Sequence, residues 1–229
     1  MNDATPQFNG NDATPDYARD WTGNKKSTFS TLGASNHSNY KRAEKDFYAT
    51  DPIAIELLYK NFWEQIGFSN NIWECACGNG HLSKRLNIIA PHITIKNSDI
   101  IKRDFDCEEI NFLKTQVWQI DENGDAVYYW GDIITNPPYK YALEFVERGL
   151  EIVAKGYKVA MFLKITFLEG QKRRKFFDKF PPKYVLVFSK RIQVARNGEK
   201  EMFDKSSAAC YAWFVWEKGY SGDPIIKWI

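Results

Sequence analysis

The run Ile133-Ile134-Thr135-Asn136-Pro137-Pro138-Tyr139 sets a side-chain amide, two prolines and an aromatic ring directly after an apolar stretch. Proline cannot continue a hydrogen-bonded ladder, so Asn136 and Tyr139 are expected on a stiff turn where a strand ends. An Asn carbonyl oxygen beside a backbone carbonyl forms a pair of acceptors suited to an exocyclic –NH2 group, and the neighbouring ring offers a stacking surface to a planar base. The same residues would equally make a rigid strand-to-helix turn capped by Asn136.

A second group lies upstream. Ile72-Trp73-Glu74-Cys75-Ala76-Cys77-Gly78-Asn79-Gly80-His81-Leu82 places a Gly-x-Gly turn between an apolar strand and a helix. Glycine there lets backbone approach a ligand and aims the helix's first amides at it. Asp99 follows Gly78 by 21 residues, at the end of the next apolar run, where a carboxylate can accept from ribose hydroxyls. The third position of a dinucleotide fingerprint is Ser83 rather than Gly or Ala, which disfavours NAD and leaves room for another nucleoside-bearing ligand. A plain tight turn and a helix cap are the competing readings of the glycines and of Asp99. Cys75 and Cys77 do not have a zinc spacing, the three histidines (His37, His81, His92) are unpaired in sequence, and no Gly-x-Ser-x-Gly elbow occurs, so neither a metal nor a Ser-His-Asp triad is expected.

These residues need elements to hold them. Asp51-Pro52 signals a helix start, with Ile53, Leu57, Leu58 and Ile66 at helical spacing. Strands are predicted at 71–76, 92–99, 132–135, 158–164, 184–189 and 211–217, with a further one within 105–114 and a hairpin over 118–129 around Asn123-Gly124. Helices are predicted at 81–88, 140–154 and 170–180. Strand, turn and helix alternating in this way is the pattern of a doubly wound α/β sheet.

At 229 residues with 44% hydrophobic and 26% charged side chains, the chain suits one globular domain, and its 14 Gly and 4 Cys exclude collagen-like and small disulfide-stapled classes. The first forty-odd residues, with Asn-Asp-Ala-Thr-Pro at 2–6 and again at 11–15, lack apolar periodicity and are expected to form a polar, flexible arm. They do not resemble a signal peptide, and no run reaches the roughly 18 apolar residues of a membrane span, so a cytoplasmic protein with no membrane partner is expected. Net charge is only +2, but Glu169–Lys205 carries eleven basic against five acidic residues. Such a region fits phosphate neutralisation, and Gln171–Phe180 within it fits an amphipathic surface helix as well. The run Tyr211–Trp216 reads as a core strand.

Taken in order, Asp46–Pro52, Glu74–Gly80 and Asn136–Tyr139 resemble the S-adenosylmethionine-dependent amino-methyltransferases, in particular compact adenine-specific DNA methyltransferases of bacteriophages and prophages. The resemblance runs from about residue 46 to the C-terminus. It implies a Rossmann-like class I methyltransferase fold: a mostly parallel seven-stranded sheet with an antiparallel C-terminal strand and helices on both faces. It implies a flexible arm at 1–45, one methyltransferase domain at 46–229, and a substrate-recognition excursion at 189–206.

For the site, the resemblance implies catalytic roles for Asn136, Pro137, Pro138 and Tyr139. Phe47, Tyr48 and Thr50 would enclose the cofactor's methionine end, Glu74, Cys77, Gly78 and Gly80 would form its loop, and Asp99 would hold its ribose. Asn111, standing where the family has Asp, and Phe112 would meet its adenine. The cofactor is S-adenosylmethionine, with S-adenosylhomocysteine as product and no metal. The partner is DNA, expected as duplex, approached by Lys190, Arg191, Arg196 and Phe203, with Phe188 available to wedge. Open alternatives are RNA or a protein glutamine as methyl acceptor, and a non-catalytic phage nucleic-acid-binding protein.

Overall fold

The computed structural model describes residues 48–115, 119–120, 126–127, 129–196 and 209–229. The expected arm, Phe47, Phe203 and residues 197–208 of the expected excursion lie outside the described residues, as do the side chains of Tyr48 and Arg196.

The elements are β1 (Tyr48–Thr50), α1 (Ile53–Ile66), β2 (Asn71–Glu74), α2 (His81–Ile89), β3 (Thr94–Asp99), β4 (Glu108–Glu109), β5 (Gln119–Ile120), β6 (Ala126–Val127), β7 (Asp132–Thr135), α3 (Ala142–Ile152), β8 (Lys158–Lys164), α4 (Gln171–Lys179), β9 (Tyr184–Val187), β10 (Val194–Arg196), β11 (Tyr211–Glu217) and β12 (Ile225–Trp228). The start of α1 follows the expected chemistry: the Asp51 carboxylate accepts from Ile53 N at 2.9 Å, and Ala54, Ile55, Leu58, Phe62 and Ile66 turn one apolar face inward.

The main sheet has the order β12-β9-β11-β8-β7-β2-β3-β4. Only β11 runs against its neighbours β8 and β9; every other pairing in this sheet is parallel. The fold is therefore the expected α/β class, with eight strands where seven are expected. The antiparallel strand is followed by β12, which returns to pair with β9. The third expected strand shrinks to the two-residue β4 and a 3-10 turn at Phe112–Lys114. The expected hairpin survives as the β5–β6 pair, Gln119 opposite Val127. Outside the main sheet, β1 pairs antiparallel with β10, Thr50 opposite Val194.

Period-two alternation divides the core between the two faces of the sheet. From β8, Ala160 and Phe162 join α1 and α2, whereas Val159, Met161 and Leu163 join α3. From β11, Trp213 and Val215 face the first layer, and Ala212, Phe214 and Trp216 the second. With β3 and β7 on opposite sides of β2, the strand order reverses beside β2. The carboxyl ends of parallel strands at such a reversal form a crevice.

Candidate active site

A cleft of about 650 Å³ opens at those carboxyl ends. Its lining includes Glu74, Cys77, His81, Asp99 and Arg103, then Ile110, Asn111 and Phe112, and Ala49, Thr50, Asn136, Pro138 and Tyr141. Glu74, Asp99 and Asn136 are gathered because β2, β3 and β7 end side by side, and the β1–β10 pair adds Ala49 and Thr50.

The glycine turn is held from below. Gly78 and Gly80 both have left-handed backbone, φ +54° and +70°. A side chain on Gly80 would be strained there and would meet the Phe105 ring at 2.5 Å. Gly78 N donates to Asp99 Oδ2 at 2.8 Å, so the acid assigned to a ligand ribose also pins the loop. Asp99 Oδ1 accepts from Ile101 N and from the Arg103 guanidinium, each at 3.1 Å. A carboxylate offers about four lone-pair sites, so these three donors leave one for a hydroxyl.

Glu74 is buried, 4% exposed, beneath the turn. Its Oε2 accepts from Ser83 N at 3.1 Å, capping the first turn of α2, and also contacts Ser83 Oγ. Burial pushes its carboxyl up to about 8, against the opposing effect of the Ser83 bonds, with Asp99 adding a smaller push in the same direction. Ser83 Oγ also meets Asn97 Oδ1. Cys75 and Cys77 are buried free thiols whose ionisation burial pushes well up, which fits packing rather than nucleophilic chemistry.

Asn136 follows β7 and donates from Nδ2 to Thr50 Oγ1 at 2.7 Å. Pro137 is buried, while Tyr139 opens a 3-10 turn over Tyr139–Tyr141. The structure brings together Thr50, Glu74, Cys77, Asp99, Asn111, Phe112, Asn136 and Pro138 on the cleft, and leaves Gly78, Gly80 and Pro137 out of its lining. It does not bring Tyr139 into that lining. Its ring tilts against Tyr211 at 6.0 Å, under the Lys164 ammonium at 5.4 Å. Phe112 is only 2% exposed, stacked on Phe145 at 5.0 Å, so it is foremost a core residue with one edge on the cleft. Asn111 stands at the cap position of its 3-10 turn.

Of the expected nucleic-acid residues, Lys190 and Arg191 are exposed just beyond β9, and Arg196 belongs to β10. Phe188 is not available as a wedge. It packs into the core against Phe162 at 5.8 Å because β9 carries it over the sheet. Arg103, Phe105, Lys140 and Tyr141 belong to the site's surroundings and were not anticipated. Only Arg103 had a signal, its four-residue spacing from Asp99. Among the described residues no group of three or more His, Cys, Asp and Glu is placed to hold a metal, and no helix is long and apolar enough to cross a membrane.

No protein-family model matches the chain, and no curated protein matches it. Solved structures do match. A protein of Listeria monocytogenes classed as a class I S-adenosylmethionine-dependent methyltransferase superposes with a TM-score of 0.53 at 13% identity, over 88% of this chain and 70% of that one. One of Agrobacterium tumefaciens classed as an O-methyltransferase gives 0.51 at 10% identity, over 78% and 85%. A type I restriction-modification methyltransferase subunit of Streptococcus thermophilus gives 0.52 at 11% identity, over 79% of this chain and 48% of the subunit, about half its length. These likenesses establish the fold, a Rossmann-like class I methyltransferase fold.

Proposed function

We propose that the protein transfers a methyl group from S-adenosylmethionine to the exocyclic amine of adenine in DNA. The observation that carries this reading is Asn136, presented on a proline-stiffened turn across one cleft from the Asp99-pinned glycine loop. The cleft fits the cofactor. Asp99 keeps one acceptor site for a ribose hydroxyl, Ile100, Ile110 and Phe112 supply apolar wall for an adenine, and Asn111 supplies an acceptor for its amine. Glu74 and Cys77 line the same cleft, next in the chain to the turn of Gly78 and Gly80.

Bound there, S-adenosylmethionine supplies an already activated methyl group, so the protein's task is alignment. Asn136 Oδ1 and the Pro137 carbonyl would accept the two hydrogens of the target amine, favouring sp3 character at nitrogen as its lone pair forms the N–CH3 bond, the S–CH3 bond breaks to leave S-adenosylhomocysteine, and the methylated nitrogen loses one proton to solvent. No base of raised pKa is needed beforehand. A duplex target must first be extruded, at a cost of a few kcal/mol, part of which stacking on Tyr139, worth about 1–3 kcal/mol, would offset. Motif order and the basic Glu169–Lys205 region support DNA as the partner. RNA and a protein glutamine present similar amines and enter as outcomes of the test.

The test is transfer of labelled methyl to unmethylated duplex DNA, with single-stranded DNA, ribosomal RNA and a release factor in parallel, followed by nuclease digestion. N6-methyladenine in DNA is the expected product. Label in RNA or protein overturns the partner, and no label despite cofactor binding overturns the activity. Asn136→Ala is expected to abolish turnover while calorimetric cofactor affinity stays nearly unchanged. A loss of that affinity would overturn the assignment of roles.

A further inference from the structure

Thr50 is a polar side chain only 3% exposed, set on a three-residue strand and bonded at 2.7 Å to the amide of Asn136, 86 positions away. A terminal amide has two unlike ends, and a half-turn about its last torsion exchanges donor for acceptor. If Oδ1 receives the target amine, Nδ2 must point the other way, and its N–H then needs an acceptor. Thr50 Oγ1 stands there. Its own place is secured by the β1–β10 pairing, with Thr50 opposite Val194 and Asp51 N donating to Gln193 O at 3.1 Å.

We infer that Thr50 is a positioning residue: its hydroxyl satisfies Asn136 Nδ2 and thereby holds the amide with its acceptor end toward the substrate amine. This rests on the reading of Asn136 given above. It also departs from the cofactor-enclosing role that the resemblance assigns to Thr50, and the two roles differ in what they predict. A wall of the cofactor site changes cofactor affinity. A positioning residue changes the rate at saturation, because an unsatisfied amide N–H penalises only the orientation that reacts.

The experiment compares wild type with Thr50→Val, which keeps shape and removes the hydroxyl, and Thr50→Ser, which keeps the hydroxyl. Expected for Thr50→Val is a kcat lower by about ten- to a hundredfold, with calorimetric cofactor Kd within about twofold and an unchanged thermal midpoint; Thr50→Ser regains most of the rate. A readout without turnover uses the side-chain amide resonances of Asn136, identified by their loss in Asn136→Ala. Their hydrogen exchange should quicken in Thr50→Val and not in Thr50→Ser. Unchanged kcat in Thr50→Val, failure of Thr50→Ser to regain rate, or a weakened cofactor Kd with normal kcat at saturation would overturn the inference. Turnover surviving in Asn136→Ala would instead overturn the underlying reading of the site.

Discussion

Glu74 and Asp99 sit under one loop in different surroundings. Asp99 meets a guanidinium and two amides, whereas Glu74 meets one amide and a hydroxyl within an apolar strand end. Burial dominates at Glu74 and lifts its carboxyl from an ordinary 4.5 to about 8. The folded state therefore holds a proton that the unfolded chain releases above about 4.5. By linkage the folded state loses stability steadily as pH rises from there to about 8 and loses no more beyond it. Glu74→Gln keeps a carbonyl for Ser83 N and removes the ionisation. Thermal midpoints of the two proteins from pH 5 to 9 should show the variant's curve flatter between pH 5 and 8, and equal slopes over that range would refute the assigned burial effect. Much of this site was legible in the sequence by residue type: glycines where backbone turns left-handed, an acid 21 positions on, an Asn before two prolines. What was not legible is what each side chain turns to, since the Thr50–Asn136 bond and the Phe105 ring over Gly80 depend on long-range packing.

Among elements, β11 is the keystone of the sheet. Six of its seven residues are buried, and it bonds to β8 on one side and β9 on the other. Trp213 is fully buried and also donates from Nε1 to Ala54 O at 3.0 Å, tying the first turn of α1 to the sheet. That turn follows Thr50 directly, so the tether helps hold β1 beside Asn136. Trp213→Ala should cost about 3–5 kcal/mol by leaving a large cavity, and Trp213→Phe less. Urea unfolding with an unchanged m-value reads both, and a cost below about 1 kcal/mol for Trp213→Ala would remove β11 from this role. The strand was predicted with its exact bounds, as were β7 and β8, because buried strands read as continuous apolar runs. By contrast β12, Ile225–Trp228, escaped notice: at the sheet edge its Ile225, Ile226 and Trp228 are all exposed and show no alternation. β1 and β10 are three residues each and exist through each other, which no local pattern reveals.

Over the whole molecule, the basic residues of Glu169–Lys205 are not equally placed to meet a polyanion. Arg173 lies over Phe167 and donates to the carbonyls of Glu169 and Thr166, Arg174 pairs with Asp178, and Lys183 pairs with Glu217. Lys183 also precedes β9, at the sheet edge away from Asn136. Lys190 and Arg191 follow β9 and emerge at the same edge as Asn136, Lys140 and Lys164. Under the proposed nucleic-acid reading, the phosphate-neutralising role is assigned to the exposed Lys190 and Arg191 after β9. Each phosphate contact contributes close to one unit to the steepness with which log K falls against log salt. Lys190→Ala combined with Arg191→Ala should weaken duplex binding and lower that slope by about two, measured by fluorescence anisotropy from 50 to 200 mM salt. Arg174→Ala should leave the slope within about half a unit of wild type. If the two sets of substitutions change it equally, nucleic acid is held by the diffuse charge of the region, and the segment after β9 loses its special standing.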